Sequence, residues 1–420
     1  MRVSLIGPLP PELGGATPGG VATHQAHLTA GLGACADLEV ALLATNVRAA
    51  SPSVSTDRYA ERPYASMGVH VPRRPMDWLT PDYLRRVSAA RLVRYAYRLA
   101  RMPQPGSRKE VLGQLLWYRY FLEATRPDVV HVQHPLERAF YVQQVQRLER
   151  RKWPLVITAH SFFGEHDEYT IHSLMAPNLC AADRVIAVSP HIADQAASLG
   201  VDRKRIRVIR SGIDVERFQP RDRAAARSIL DVDGATALIL FVGNLEPRKQ
   251  LDVLLRALPN LPEARLAIVG SGDSAGVDDQ THALQHLAQQ LGLGTRVRFV
   301  GRVDGTTLLH WYAAADVFAL PSSSEAQGIV ALEAMASGLP VVASAVGGLL
   351  GTIEDGQTGY LVEPGEVEPL AQRLGALLAD TPRRAAMGDA ARQKVARDFT
   401  WQAAVASTVE VYRELAECQR

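Results

Sequence analysis

Cysteine is scarce in this chain: Cys35, Cys180 and Cys418 stand far apart and form no Cys-x-x-Cys pair. That excludes a disulfide framework and a cysteine zinc site, and it fits a reducing compartment. Long apolar runs are lacking as well. The run within Met1-Arg2-Val3-Ser4-Leu5-Ile6-Gly7 is too short for a signal peptide, and no later stretch approaches the roughly 20 apolar residues that cross a bilayer. The expected location is therefore cytoplasmic. Excess charge is missing too: 46 Lys and Arg against 44 Asp and Glu leave a net +2, too little to argue for nucleic acid. With 47% hydrophobic and 21% charged residues, neither disorder nor a fibrous repeat is indicated.

What is present is a chain of 420 residues, long for one core, so two domains are expected. Short apolar runs alternate with amphipathic segments from end to end. This is the pattern of βα repeats, an α/β class with parallel sheets covered on both faces. Strands are expected at Arg2 to Ile6, Leu38 to Ala44, Asp128 to Val132, Leu155 to Thr158, Arg184 to Val188 and Ile206 to Ile209. A second series is expected at Ala237 to Val242, Arg265 to Val269, Val297 to Val300, Asp316 to Leu320 and Pro340 to Ala343. The turn-rich segment from Ser211 to Pro220 lies between the series and reads as a linker. The domains are thus expected at 1–212 and 213–399. A last helix over 400–420, with Trp401, Val405, Val409 and Leu415 as its apolar stripe, is expected to cross back onto the first domain.

Between Arg73 and Lys109 the chain carries Arg85, Arg86, Arg91, Arg94, Arg98 and Arg101 with few acids. At about 100° per residue most of these fall beside the face made by Leu84, Leu92, Tyr95 and Leu99, a basic amphipathic helix. A face of that kind, Arg85 to Arg101, attracts an anionic membrane surface or a phosphorylated acceptor, and would place the protein peripherally at the inner face of the membrane. The plainer reading is a solvated face whose Arg stems cover apolar surface.

The chemistry concentrates at expected strand ends. In Leu320-Pro321-Ser322-Ser323-Ser324-Glu325-Ala326-Gln327-Gly328-Ile329-Val330-Ala331-Leu332-Glu333 a helix beginning near Gly328 aims free backbone N–H groups at the crevice where anions such as diphosphate bind. Glu325 precedes that helix and Glu333 lies in its second turn. Both carboxylates suit the vicinal hydroxyls of a sugar or ribose. In Gly243-Asn244-Leu245-Glu246-Pro247-Arg248-Lys249, Arg248 and Lys249 are expected to open the next helix. Cations are unfavourable there unless an anion lies between them. The Gly-rich Leu9 to His24 segment lets backbone approach a phosphate, and His160 ends the strand Val156-Ile157-Thr158-Ala159. Asp231-Val232-Asp233 imitates a metal site but precedes Gly234 and reads as a turn.

Together these pieces resemble the family-4 glycosyltransferases, retaining enzymes of the GT-B fold. The most specific element is Glu325-x7-Glu333 with Glu333-Ala-Met-Ala-Ser-Gly-Leu-Pro-Val-Val-Ala343, supported by Asp128-Val-Val-His131, Ala182 to Ser189, Ile209 to Asp214 and Tyr312 to Phe318. The resemblance implies two Rossmann-like domains facing across a deep cleft, with the donor on the second. It implies that Glu325 touches the donor hexose and Glu333 holds the ribose hydroxyls. Lys249 then neutralises the diphosphate, Gly20 and the backbone of Gly328, Ile329 and Val330 approach it, and His160 lies beside the transferred sugar. The base is read near Arg302 and Val303. The chain departs from the family at Asn244, which leaves Arg248 to supply the second cation, and at Ala326-Gln327, which alters the sugar's wall. The expected activity is hexosyl transfer from a UDP- or GDP-sugar to an unidentified hydroxyl, with no metal or other cofactor required. The alternative is a nucleotide-sugar-binding regulatory subunit without activity.

Overall fold

The computed structural model describes residues 1–8, 20–45, 68–70, 95, 108–150, 152–162, 167–272 and 280–418. They divide into two compact units, Met1–Arg210 with Trp401–Arg420, and Ser211–Thr400. The arginines of the Arg85 to Arg101 stretch lie outside the described residues.

The first unit is built on an all-parallel sheet of β1 (Arg2–Pro8), β2 (Glu39–Thr45), β3 (Gly68–His70), β4 (Val129–Gln133), β5 (Leu155–Ala159), β6 (Arg184–Ala187) and β7 (Ile206–Val208). Its order is β3-β2-β1-β4-β5-β6-β7. The central strands β4 and β5 are buried at every position, covered on both faces as in a parallel sheet; most of their side chains are apolar, and His131, Gln133 and Thr158 are buried polar ones among them. The direction of winding reverses between β1 and β4, which places the ligand-binding crevice of such a sheet at their carboxyl ends.

The C-terminal helix Trp401–Glu417 closes this unit. Its Ala404, Val405, Val409, Val411, Tyr412 and Leu415 share a core with Val3, Leu5, Leu28, Leu32 and Val40. Contact with the Gly20–Gly33 helix is close enough that a Cβ on Gly31 would lie 2.4 Å from a Val405 methyl. Glycine at that position lets the two helices approach.

The second unit repeats the plan with β8 (Ala237–Val242), β9 (Ala264–Val269), β10 (Val297–Gly301), β11 (Val317–Leu320), β12 (Val341–Ser344) and β13 (Gly359–Val362), again parallel, in the order β10-β9-β8-β11-β12-β13. Its winding reverses between β8 and β11. Helix starts follow local signals: Asp304 accepts the N–H groups of Thr306 and Thr307, both at 2.8 Å, to begin the Gly305–Ala314 helix, and Asp222 caps the Arg223–Leu230 helix through the Ala225 N–H. Asp231 ends that helix in the left-handed region and Asp233 accepts from the Ala235 N–H, so both belong to a turn.

Three features differ from the sequence expectations. Strands β3 and β13, each at an edge of its sheet, were not expected from the sequence. Gly359 is required at the edge of β13, because a Cβ there would sit 2.3 Å from the Val341 carbonyl oxygen. The segment from Ser211 to Pro220 is no slack linker. Ser211, Ile213 and Phe218 are buried, the Ile213 N–H donates to the Phe399 carbonyl at 2.8 Å, and the Phe218 ring meets Tyr312 edge-on.

Candidate functional site

In the second unit the polar side chains gather at the winding reversal. The carboxyl end of β8 leads into Gly243-Asn244 and a tight turn over Pro247–Lys249. Gln250 then takes φ +47°, and the α-helix begins only at Leu251. Arg248 and Lys249 therefore precede the helix instead of opening it, because a left-handed residue separates the two turns. The carboxyl end of β11 leads into Pro321-Ser322-Ser323-Ser324-Glu325. The two loops are laced together: the Ser323 N–H donates to the Arg248 carbonyl at 2.8 Å, and the Arg248 Nε–H donates to Glu246 at 2.6 Å. Glu246 also accepts from Asn244 at 2.9 Å, so Asn244 helps to hold the residue that orients Arg248.

At the centre of this arrangement Lys249 and Glu325 form an ion pair, 76 residues apart in sequence. Both side chains are buried, and the Ser322 hydroxyl donates to the same carboxylate oxygen at 2.9 Å. Burial alone would raise the Glu325 carboxyl. The Lys249 ammonium with its hydrogen bond, Arg248 and Ser322 outweigh that and hold it below the ordinary range. An ammonium has three donors, so Lys249 can keep Glu325 and still turn N–H groups to an anion.

Next to this pair the Ile329–Ala336 helix starts from Gly328 at φ +80°. A side chain at Gly328 would also meet Leu349 at 2.5 Å, so glycine alone gives both the turn and the space. The bare N–H groups of the first turn make an anion site. Ile329 and Val330 are partly buried against the core and offer backbone. The Gln327 side chain is directed elsewhere. Its amide donates to the Ser211 carbonyl and accepts from the Ser211 N–H, both at 3.0 Å. Gln327 thus braces the start of the second unit.

Glu333 is half-buried and accepts a hydrogen bond from the Tyr312 hydroxyl at 2.8 Å. Burial raises its carboxyl to about 7, against the opposing pull of the Tyr312 hydrogen bond and the charge of Arg217. The two glutamates stand in separate hydrogen-bonding sets: Glu325 is held ionised by cations, and Glu333 is poised to lose a proton near neutrality. Ser322 and Tyr312 lie in segments that the sequence marked without a role being assigned to them, and Arg217 was not singled out in the sequence. Arg302 follows β10 and its Nε–H donates to Ser271 at 2.8 Å, while Val303 packs against the core.

In the first unit His160 follows β5 beside a buried polar cluster. Gln133 Oε1 lies 2.8 Å from His160 Nε2. The His24 ring meets His160 edge-on at 4.7 Å, and His134 stacks on it at 6.3 Å. Burial, followed by His134 and His131, holds the His160 imidazole well below its ordinary range, so it is neutral. Gly20 begins the first helix with open space where a Cβ would stand. The preceding Gly-rich residues 9–19 lie outside the described residues.

Comparison with known proteins follows the same division. Residues 222–394 match the family described as Glycosyl transferases group 1, and residues 18–217 match Glycosyltransferase Family 4. The chain is 38% identical over 295 residues to D-inositol 3-phosphate glycosyltransferase 2 of Catenulispora acidiphila, covering 65% of this chain and 69% of the relative. It is 39% identical over 274 residues to D-inositol 3-phosphate glycosyltransferase of Mycolicibacterium gilvum, covering 61% of this chain and 60% of that relative. The structure resembles sucrose-phosphate synthase from Thermosynechococcus elongatus with TM-score 0.77 and 25% identity, over 99% of both chains. It also resembles Anabaena HepE in complex with UDP-glucose, with TM-score 0.71, at 21% identity over 98% and 99% of the two chains. Among the described residues no helix is long and apolar enough to cross a membrane.

Proposed function

The chain belongs to the family-4 glycosyltransferases, of GT-B fold, and from that premise we propose that it moves a hexose from a nucleotide-diphosphate sugar, UDP- or GDP-linked, to a hydroxyl acceptor with retention of configuration. The observation that carries this reading is the buried Lys249–Glu325 pair beside the helix start at Gly328, at the winding reversal of the second sheet. Lys249, Arg248 and the N–H groups after Gly328 take the charge that builds on the leaving diphosphate; stabilising such charge with fixed donors is commonly the main source of rate enhancement. Glu325 contacts the hexose, Glu333 the ribose hydroxyls, and Arg302 and Val303 border the base. Gly20 approaches the diphosphate and His160 contacts the transferred sugar. These side-chain cations do the work a divalent ion does elsewhere, so no metal is required. The leaving phosphate oxygen accepts the acceptor's proton, and no protein nucleophile takes part.

The acceptor class to try first is a phosphorylated cyclitol, since the relatives are named for D-inositol 3-phosphate. The test is a panel of UDP- and GDP-sugars in a thermal shift assay, because a ligand of the native state alone raises apparent stability. Transfer is then assayed with the donor that binds, and the anomeric configuration of the product is read by proton NMR. A stabilising donor and an α-linked product from an α-linked donor are expected. Nucleotide release from no donor, with or without acceptor, refutes the reading.

A further inference from the structure

The C-terminal helix reaches His160 through a buried chain of polar side chains in the first unit. The Tyr412 hydroxyl lies 2.6 Å from His131 Nδ1. His131 Nε2 lies 2.7 Å from the Thr158 hydroxyl and 3.4 Å from Gln133 Nε2. Gln133 Oε1 lies 2.8 Å from His160 Nε2. Tyr412, His131, Thr158 and Gln133 are each 0% exposed, so water does not substitute for a missing partner.

The polarity of the amide sets the polarity of every link. Gln133 Oε1 only accepts, so His160 carries its proton on Nε2. Gln133 Nε2 only donates, so His131 Nε2 is bare and also receives the Thr158 hydroxyl proton. His131 then bears its proton on Nδ1 and donates it to the Tyr412 oxygen. We infer that the C-terminal helix, acting through Tyr412, His131 and Gln133, holds His160 as the Nε2–H tautomer and thereby presents Nδ1 as an acceptor for a hydroxyl of the transferred sugar.

The charged form of either ring does not compete. Burial holds His131 down to about 3, with a further contribution from His24, and His160 well below its ordinary range. Reversing the chain means flipping the amide and both tautomers together. Flipping one alone sets donor against donor in a dry site, at about 1–3 kcal/mol for each unmade bond. Tyr412, His131 and Gln133 are positioning residues; His160 is the one that contacts sugar. That contact rests on the proposed function, whereas the tautomer does not.

The test is long-range nitrogen–proton NMR on histidine-labelled protein, with His160→Gln used to assign the His160 resonances. The expected wild-type spectrum shows a protonated Nε2 and a bare Nδ1 for His160. Tyr412→Phe deprives the His131 Nδ1–H of its acceptor and moves that proton to Nε2, which turns the Gln133 amide over. The His160 tautomer then shifts although residue 412 does not touch it, and kcat falls roughly tenfold, the equivalent of one lost buried hydrogen bond. In the Tyr412→Phe, Gln133→Glu double variant a carboxylate accepts from both rings, so His160 returns to its Nε2–H form and turnover recovers. A wild-type His160 protonated on Nδ1, or an unchanged tautomer in Tyr412→Phe, overturns the inference. If the tautomer shifts as described while kcat stays within twofold, the relay stands and the sugar contact of His160 is what fails.

Discussion

Glu333 provides the sharpest quantitative expectation, because the role proposed for it requires a charge that the free protein resists. With its carboxyl raised to about 7 by burial, roughly a tenth of the molecules are ionised near pH 6 and roughly nine tenths near pH 8. Two vicinal hydroxyls are held best by a carboxylate that only accepts. If binding selects the ionised form, donor affinity is about tenfold weaker near pH 6 than near pH 8, or about 1.4 kcal/mol. The free protein holds the proton and the complex expels it, so affinity falls as pH falls through the raised value. The same shift makes the ligand-free protein lose stability as pH rises from the ordinary carboxyl range to about 7, because the unfolded chain has then given up the proton that the folded state still holds, and the loss levels off above about 7. Isothermal titration calorimetry with an intact nucleotide sugar is the suitable assay, because a diphosphate esterified at both ends does not titrate in this range. Repeating it in buffers of different ionisation enthalpy counts the protons released, about half a proton per donor near pH 7. Glu333→Gln is expected to bind more weakly at high pH and to lose the pH dependence. Flat wild-type affinity across this range, or a slope that survives in Glu333→Gln, would falsify the assignment of Glu333 to the ribose.

Other outcomes follow from neighbouring parts of the structure. Lys249→Ala is expected to lower kcat at saturating donor on the order of 10²-fold, as for other lost oxyanion stabilisers. It also leaves Glu325 buried without its cation, so thermal stability drops as well, and Lys249→Ala combined with Glu325→Gln is expected to regain stability but not turnover in a steady-state assay. Asp316 is a structural counterpart away from the chemistry. It is buried and receives Arg223 at 2.6 Å, Arg227 at 2.9 Å and the Leu238 N–H at 2.8 Å. Asp316→Asn is therefore expected to cost about 3–5 kcal/mol in urea unfolding while leaving the donor dissociation constant of the folded fraction unchanged.

The α/β alternation, every strand except β3 and β13, and the loop from Leu320 through the Gly328 helix start were legible in the sequence, because each is encoded locally. Apolar runs bounded by glycine, proline and capping residues such as Asp304 and Asp222 state their own secondary structure. Glu325 and Glu333 stand out in the sequence for the same reason, since they bracket a helix start that glycine announces. What no local pattern records is which polar groups meet across the fold. Lys249 and Glu325 pair across 76 residues, Tyr412 reaches His131 across 281, and Gln327 bonds Ser211 across 116. The place of Arg248 and Lys249 before the helix depended on one left-handed residue, Gln250, for which the sequence offers no glycine as a sign. Local propensity therefore determined the elements and their order. The tertiary structure decided the partners, and with them the charge states, because hydrogen bonds and desolvation depend on what is near in space, and a buried polar group leaves no periodicity along the chain.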